Sequence, residues 1–256
     1  MKRVLINGVG GQMGHALTAS LREQAEKWEI VGGVDPVCHE TLPFPVFESV
    51  EQIDVKPDVV IDFSVPAATE RILEYCTEQH IPIVICTTAL TESLIERIEQ
   101  ASKEIPIFRS GNMSLGINLM RKLVRDARAM LGDAFDVEII EAHHNRKIDA
   151  PSGTALMLGE AIRSADSKEH PCVFGRSEKN RRRTPEEIGF HSIRGGTVVG
   201  EHEVRFLGTD EELTVLHRAT SKRVFATGAI KAAEFLLRHP CGLYSMDDLV
   251  EEILNE

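Results

Sequence analysis

Along roughly the first 110 residues, apolar positions fall in short unbroken runs separated by amphipathic stretches. Val4–Ile6, Ile30–Val34, Val59–Phe63, Ile81–Cys86 and Ile105–Phe108 read as strands. Met13–Lys27, with Ala16, Leu17, Leu21 and Ala25 on one side, reads as a helix, as do a segment opened by Pro66 and the stretch Glu92–Lys103. Proline is favoured in a first helical turn, where its missing N–H costs nothing. Unbroken β-branched runs, rather than alternation, are the mark of parallel strands covered on both faces. Repeated strand–helix units of this size predict an α/β fold, a Rossmann-type doubly wound parallel sheet.

From Ser114 the pattern changes. Leu115–Leu131 is one long amphipathic helix, on which Met120 and Met130 read as packing residues, and Val137–Glu141 is a strand running into a polar loop. Thr154–Ala165 is a helix, and Asp166–Glu187 is irregular, its basic run Arg181–Arg183 reading as a solvated loop. Gly189–Arg194, Val198–Leu207 and Leu213–Ala219 follow as strands, and the lack of intervening helices predicts antiparallel neighbours. Lys222–Arg238 and Met246–Leu254 return to helix. The expected organisation is a dinucleotide-binding domain over 1–113, an α+β substrate-binding and oligomerisation domain over 114–222, and C-terminal helices over 223–256 that pack back on the first domain.

Composition narrows the function. With 256 residues, 42% apolar and 27% charged, the chain is an ordinary globular protein. Its 40 acidic against 29 basic residues give a net charge of −11, which argues against broad nucleic-acid or anionic-membrane binding but leaves room for a local basic pocket. No apolar run approaches the roughly 18–20 residues of a membrane span, and the opening residues lack the apolar stretch of a signal peptide. Five scattered cysteines without a C-x-x-C pair fit a reduced, cytoplasmic protein better than a disulfide framework or zinc module.

The first candidate site is a glycine turn. Gly8-Val9-Gly10-Gly11-Gln12-Met13-Gly14 follows the first strand and leads directly into a helix. Glycine tolerates positive φ and lets backbone N–H groups approach a pyrophosphate, and the helix start adds unpaired amides. Asp35, 21 residues beyond Gly14 at the end of the second strand, is where an acid accepts hydrogen bonds from an adenosine ribose. That acid repels a 2′-phosphate, so the reading leans to NADH over NADPH. Other strand ends should line the same cleft: Phe63-Ser64-Val65-Pro66, Cys86-Thr87-Thr88 and Ser110-Gly111-Asn112-Met113. The plainer reading of each is turn chemistry.

The second candidate lies in Glu141-Ala142-His143-His144-Asn145-Arg146-Lys147-Ile148-Asp149-Ala150-Pro151-Ser152-Gly153-Thr154-Ala155. Ser152, Gly153 and Thr154 mark a helix start whose amides and hydroxyl suit a carboxylate or phosphate. His143, His144 and Lys147 add cationic donors and a proton source near neutral pH. The ligand so described is a small, multiply charged anion. Simple helix capping and structural histidines are the plainer alternatives. Glu141 and His143 share a strand face, yet no third ligand stands at a spacing that suggests zinc, so no metal is expected. Neighbours on a strand face opposite ways, so His143 and His144 should differ in role unless the loop twists.

At these residues the chain resembles the 4-hydroxy-tetrahydrodipicolinate (dihydrodipicolinate) reductase family of bacterial lysine biosynthesis. The resemblance spans nearly the whole chain: Gly8–Gly14, Phe63–Pro66, Asn112-Met113-Ser114-Leu115-Gly116, His143-His144 through Ala155, Ser192–Gly196 with Val199-Gly200-Glu201-His202, and Phe225-Ala226 with Gly228-Ala229. It implies a homotetrameric, NAD(P)H-dependent reductase acting on a small dicarboxylate. Within it His143 looks like the proton donor and acceptor, Lys147 like a second catalytic or substrate-orienting cation, and His144, Gly153 and Thr154 like substrate-carboxylate contacts. Gly8, Val9, Gly10, Gly11, Gln12, Met13, Asp35, Cys86, Thr87, Thr88, Ser110, Gly111, Asn112 and Met113 occupy cofactor positions. Two departures stand out: Cys86 and Ala89 flank Thr87-Thr88 where the family usually has glycines, and Ser110-Gly111 replaces the more usual pair of small residues. Side-chain volume at Cys86 is expected to bear on nicotinamide placement.

A dehydrogenase of another amino-dicarboxylate, or an NAD(P)-binding redox sensor without turnover, are the rival readings. A sensor has no use for a proton donor beside an anion seat. Hinges near Met113 and Lys222 are expected to allow closure over both ligands. His191, His202 and His217 show no constellation and read as structural.

Overall fold

The computed structural model describes residues 1–255. The chain divides into two compact units, one made of Met1–Leu115 together with the chain from Lys222 onward, the other of Gly116–Ser221. It opens with β1 (Lys2–Asn7), α1 (Gln12–Arg22), β2 (Trp28–Val34), β3 (Val46–Phe47), β4 (Val59–Asp62), α2 (Pro66–Glu78), β5 (Ile83–Ile85), α3 (Glu92–Ala101) and β6 (Pro106–Arg109). Then come α4 (Leu115–Leu131), β7 (Asp136–His143), α5 (Gly153–Arg163), β8 (Cys172–Phe174), β9 (Ile188–Arg194), β10 (Gly200–Leu207) and β11 (Glu212–Ala219). The last stretch, α6 (Arg223–Leu236), β12 (Gly242–Tyr244) and α7 (Met246–Asn255), returns to the first unit.

The first unit is a seven-stranded sheet in the order β12-β6-β5-β4-β1-β2-β3. Every pairing in it is parallel. One face buries Leu17 and Leu21 of α1, Ala226, Ala229, Ala233 and Phe235 of α6, and Met246 and Leu249 of α7. The other buries Ile72 and Leu73 of α2 and Leu94 and Ile98 of α3. This is the doubly wound α/β sheet that the apolar runs predict. Its first connection rises from β1 to α1 while β1 is flanked by β2 and β4, so strand order reverses beside β1 and opens a crevice at the strands' carboxyl ends. Helix α1 stops at Arg22 rather than Lys27: Leu21 is its last core residue, and Gln24 N–H already turns back to Leu21 O at 2.9 Å. The edge strands β3 and β12, two and three residues long, carry too short a pattern to be read from sequence.

The second unit is a mixed five-stranded sheet, β11-β10-β7-β9-β8. Its inner face packs Val137, Ile139, Val204 and Phe206 against Ile117, Met120 and Val124 of α4 and Leu158 and Ile162 of α5. Met120 is buried with them, whereas Met130 is exposed. The expectation of three antiparallel neighbours holds for β10 with β11 only. β9 runs parallel to β7, and β10 pairs antiparallel with the other edge of β7. Residues 195–199 therefore cross the end of β7, where Gly195 N–H donates to His143 O at 3.0 Å. Five residues reach about 16 Å, enough to span the roughly 10 Å between strands that flank a third. A short loop thus does not by itself prove a hairpin.

The segment read as irregular holds β8, parallel to β9. Of its basic run, Arg181 and Arg182 are exposed, as a solvated loop requires, whereas Arg183 is half-buried. Arg183 binds Asp136 at 2.6 Å, Glu138 at 3.2 Å and three backbone carbonyls, and Arg181 binds the buried Glu187 at 2.8 Å. Arg176 joins the same carboxylates, and His191 also pairs with Glu138. Arg176 and Arg183 staple the 175–187 stretch to β7, a long-range pairing that local sequence does not reveal.

Candidate active site

In the first unit the glycine turn sits at the carboxyl end of β1. Gly8 has φ +80°, and a Cβ there would lie 2.6 Å from Phe63 O. A Cβ at Gly14 would lie 2.3 Å from Gly8 O, so the start of α1 packs directly on the turn. Asp35, at the end of β2, accepts Gly10 N–H at 2.9 Å on one oxygen and Val37 N–H at 3.0 Å on the other. A carboxylate oxygen has two acceptor sites, so each can still take a ribose hydroxyl. The turn is thus a bare backbone cradle with an oriented acid beside it, and it fits the pyrophosphate and ribose of a dinucleotide.

Other predicted cofactor residues gather at the same strand ends but divide by side chain. Thr88 and Gly111 lie side by side, with Thr88 Cγ2 4.0 Å from a Cβ built on Gly111. Ser110 Oγ donates to Asn112 O at 2.9 Å, and Asn112 Oδ1 accepts Ser114 N–H at 2.9 Å, which fixes the turn out of β6. Val9, Cys86 and Met113 instead point into the core, so they can meet a ligand through backbone alone. Burial, together with the charge of Asp62, pushes the Cys86 thiol well up. Its side chain therefore does not crowd the cleft as its volume suggested.

Thr87 is turned inward as well. Its hydroxyl donates to Asp62 at 2.9 Å. Asp62, fully buried at the end of β4, also accepts from Asn7 at 2.9 Å, Ser64 at 2.5 Å and Thr69 at 2.6 Å. Burial raises its pKa against those four hydrogen bonds. One carboxylate thus ties together the ends of β1, β4 and β5. Sequence reading passed over it because an acid closing an apolar strand looks like a turn residue.

In the second unit, β7 ends at His143 and α5 begins at Gly153. Ser152 caps α5, its Oγ accepting Ala155 N–H at 3.2 Å. The strand period puts Glu141 and His143 on one face, and they meet: His143 Nδ1 is 2.6 Å from Glu141 Oε2. Glu141 Oε1 accepts Ser152 N–H at 3.2 Å. Arg194, the register partner of His143 on β9, grips both Glu141 oxygens at 2.8 and 2.6 Å. It also donates to Asp149 O at 2.7 Å, which holds the loop. Burial would raise the Glu141 pKa, but hydrogen bonds from Arg194, His143 and Ser192 hold it at about 2. Burial lowers the His143 pKa; Glu141 pulls it back up, and the charges of Lys147 and Arg194 press it down. Lys147 Nζ pairs with Asp149 at 2.9 Å.

His144, just past the strand, keeps a buried Nδ1 without a hydrogen-bond partner. Gly153 is exposed, with nothing within 4 Å of a methyl placed on its Cα, and Thr154 follows in the first turn of α5. His202 corrects the reading of that residue as apart from any constellation. It is buried on β10, its ring edge-on to His143 with centroids 5.1 Å apart, and its Nε2 lies 3.1 Å from Ser152 Oγ. Burial and the neighbouring His143 push its pKa down to about 4. Glu141 was legible from its two-residue spacing to His143; Arg194 and His202 arrive through sheet pairing, which the sequence does not print.

A glycine turn that fits a dinucleotide on a doubly wound sheet, with a second α+β unit carrying an imidazole beside a helix start, is the build of a nicotinamide-dependent oxidoreductase. The comparisons narrow the class. Residues 2–113 match the family described as "Dihydrodipicolinate reductase, N-terminus", and residues 116–250 match "Dihydrodipicolinate reductase, C-terminus". The chain belongs to the dihydrodipicolinate reductase family. It is 47% identical over 252 residues to a 4-hydroxy-tetrahydrodipicolinate reductase of Caldanaerobacter subterraneus subsp. tengcongensis, covering 98% of this chain and 99% of that one. The corresponding protein of Clostridium novyi is 44% identical over the same length and coverage. Among solved structures it resembles a dipicolinate-bound dihydrodipicolinate reductase from Paenisporosarcina sp. TG-14, with TM-score 0.80 and 25% identity over 96% of this chain and 97% of the other. Among the described residues no helix is long and apolar enough to cross a membrane.

Proposed function

We propose that this chain reduces 4-hydroxy-tetrahydrodipicolinate to tetrahydrodipicolinate, using NADH or NADPH, in the diaminopimelate route to lysine. Family membership over almost the whole chain supports the reaction, and the contact of His143 with Glu141 beside the start of α5 is the observation that carries the site. The 4-hydroxyl leaves as water to give a conjugated dihydro ring, and reduced nicotinamide, when bound, would supply the hydride that adds to its C4. Gly8, Gly10, Gly11 and the first amides of α1 would hold its pyrophosphate, and Asp35 its ribose.

The chain's own residues do the rest. Gly153 and Thr154 at the start of α5 seat one substrate carboxylate, with His144 and Lys147 as further donors. His143 delivers a proton to C3. In the free protein burial favours its neutral form, and a doubly anionic ring beside it favours the imidazolium. Substrate binding thereby recruits the proton the reaction consumes. General acid help of this kind is worth about 10²–10⁴-fold, and alignment of two bound reactants roughly 7–11 kcal/mol.

The negative charge of Asp35 favours NADH over NADPH. Self-association as a homotetramer through the second sheet is supported by the exposed Leu213 and Leu216 on β11, and a cytoplasmic site of action by five free thiols. The test follows nicotinamide absorbance with freshly generated hydroxy-tetrahydrodipicolinate and both cofactors. Turnover that drops by 10² or more in His143→Ala is the expected result. Cofactor binding without turnover by the wild type would overturn the reaction, and unchanged turnover in the variant would remove His143 from it.

A further inference from the structure

His143 has one nitrogen turned to the protein, and what holds that nitrogen decides what the other can do. Nδ1 is 2.6 Å from Glu141 Oε2, so the bond takes the Nδ1–H form and leaves Nε2 as the atom that carries or receives the mobile proton. The same carboxylate holds Ser152 N–H, one residue before the anion seat. It is 1% exposed and its oxygens are shared among His143, Ser152 and both Arg194 terminal nitrogens. Arg194 adds a fifth constraint through Asp149 O, in the loop that carries Lys147.

We propose that Glu141 and Arg194 are a positioning pair that sets the tautomer and proton affinity of His143 and ties the imidazole to the start of α5. This rests on the reading of His143 as the proton-carrying group. The two partners act in opposite senses. Glu141 stabilises the imidazolium, whereas Arg194 holds Glu141 in place and opposes the imidazolium by its own charge. A lone carboxylate at this distance would fix His143 in the charged form; the arginine keeps the group able to give its proton up. Four charged or titratable groups face His143: Glu141 from β7, Lys147 from the loop, Arg194 from β9 and His202 from β10. Of these only Glu141 favours the proton, so its removal has no substitute.

The experiment measures the titration of His143 in the ligand-free, full-length protein by the pH dependence of exchange at its C2–H, with fragmentation separating it from His144. In Glu141→Gln the midpoint falls by roughly one unit or more, and kcat drops at least tenfold while the KM for cofactor is unchanged. In Arg194→Gln the midpoint rises, and Arg194→Lys brings it back toward wild type. Near-UV circular dichroism reports whether each variant is folded. Should Glu141→Gln fail to fold, the Arg194 variants carry the test alone. Midpoints that stay put in folded variants, or move the same way in both, overturn the proposal, because a merely structural ion pair has no reason to shift them oppositely. Opposite shifts in a protein that does not turn over the dicarboxylate would uphold the pair and remove the substrate instead.

Discussion

The ammonium of Lys147 lies 2.9 Å from the carboxylate of Asp149, two residues along the same loop. A cation proposed to meet substrate is therefore already shared with one carboxylate, which competes for it with an incoming one. The pair is solvent-exposed on the aspartate side, where such bridges are worth about 0.2–1 kcal/mol. Asp149→Asn should lower the substrate KM by up to about fivefold and leave kcat unchanged, whereas Lys147→Ala should lower kcat/KM by at least about 10²-fold. Steady-state kinetics at low ionic strength separates the two.

Gly153 offers a test free of folding effects. A methyl there meets nothing within 4 Å. Gly153→Ala should unfold at the same temperature as wild type and bind cofactor equally, yet show a raised substrate KM, because only a ligand can feel the added carbon. An unchanged KM would remove the start of α5 from substrate binding.

Asp62 predicts the opposite balance. Asp62→Ala strips a partner from Asn7, Ser64, Thr69 and Thr87 at once, and each group left buried and unpaired costs about 1–3 kcal/mol. A loss of several kcal/mol in urea unfolding is expected. A weaker perturbation, Thr87→Val, should lower cofactor affinity with little change in substrate KM.

Stability should depend on pH through His202 and then Glu141. His202 has its pKa depressed to about 4 in the folded protein, against about 6.5 when unfolded. The unfolded chain binds the extra proton, so this contribution is fully present above about pH 6.5 and is lost as pH falls to about 4. Its size is on the order of 3 kcal/mol. Glu141, at about 2 when folded, adds a second loss as pH falls from about 4.5 toward 2. Urea unfolding at pH 7, 5 and 4 should show the first decline in wild type and a flatter profile in His202→Asn.

The parallel sheet, the glycine turn and the start of α5 were legible because each is written in consecutive residues. Val4–Ile6 followed by Gly8–Gly14 states strand, turn and helix within one short stretch, and Ser152–Thr154 announces a helix start. What escaped was carried by pairing between distant segments. The register of β9 on β7 brings Arg194 to Glu141, that of β10 brings His202 opposite Glu141, and Arg176 and Arg183 find acids on β7. A one-residue slip in either register would turn these side chains to the opposite face, and no local pattern distinguishes the two choices.

The first unit is completed by chain that comes after the second. Helix α6 contributes Ala226, Ala229, Ala233 and Phe235 to one face of the parallel sheet, and β12 adds its outermost strand. During synthesis, which proceeds at about 5–20 residues per second, the ribosome finishes residues 116–221 before that face can close. The inserted unit can mature while the nucleotide fold still waits with bare apolar surface, so nascent chains stalled near residue 221 should be the ones that bind chaperones most strongly.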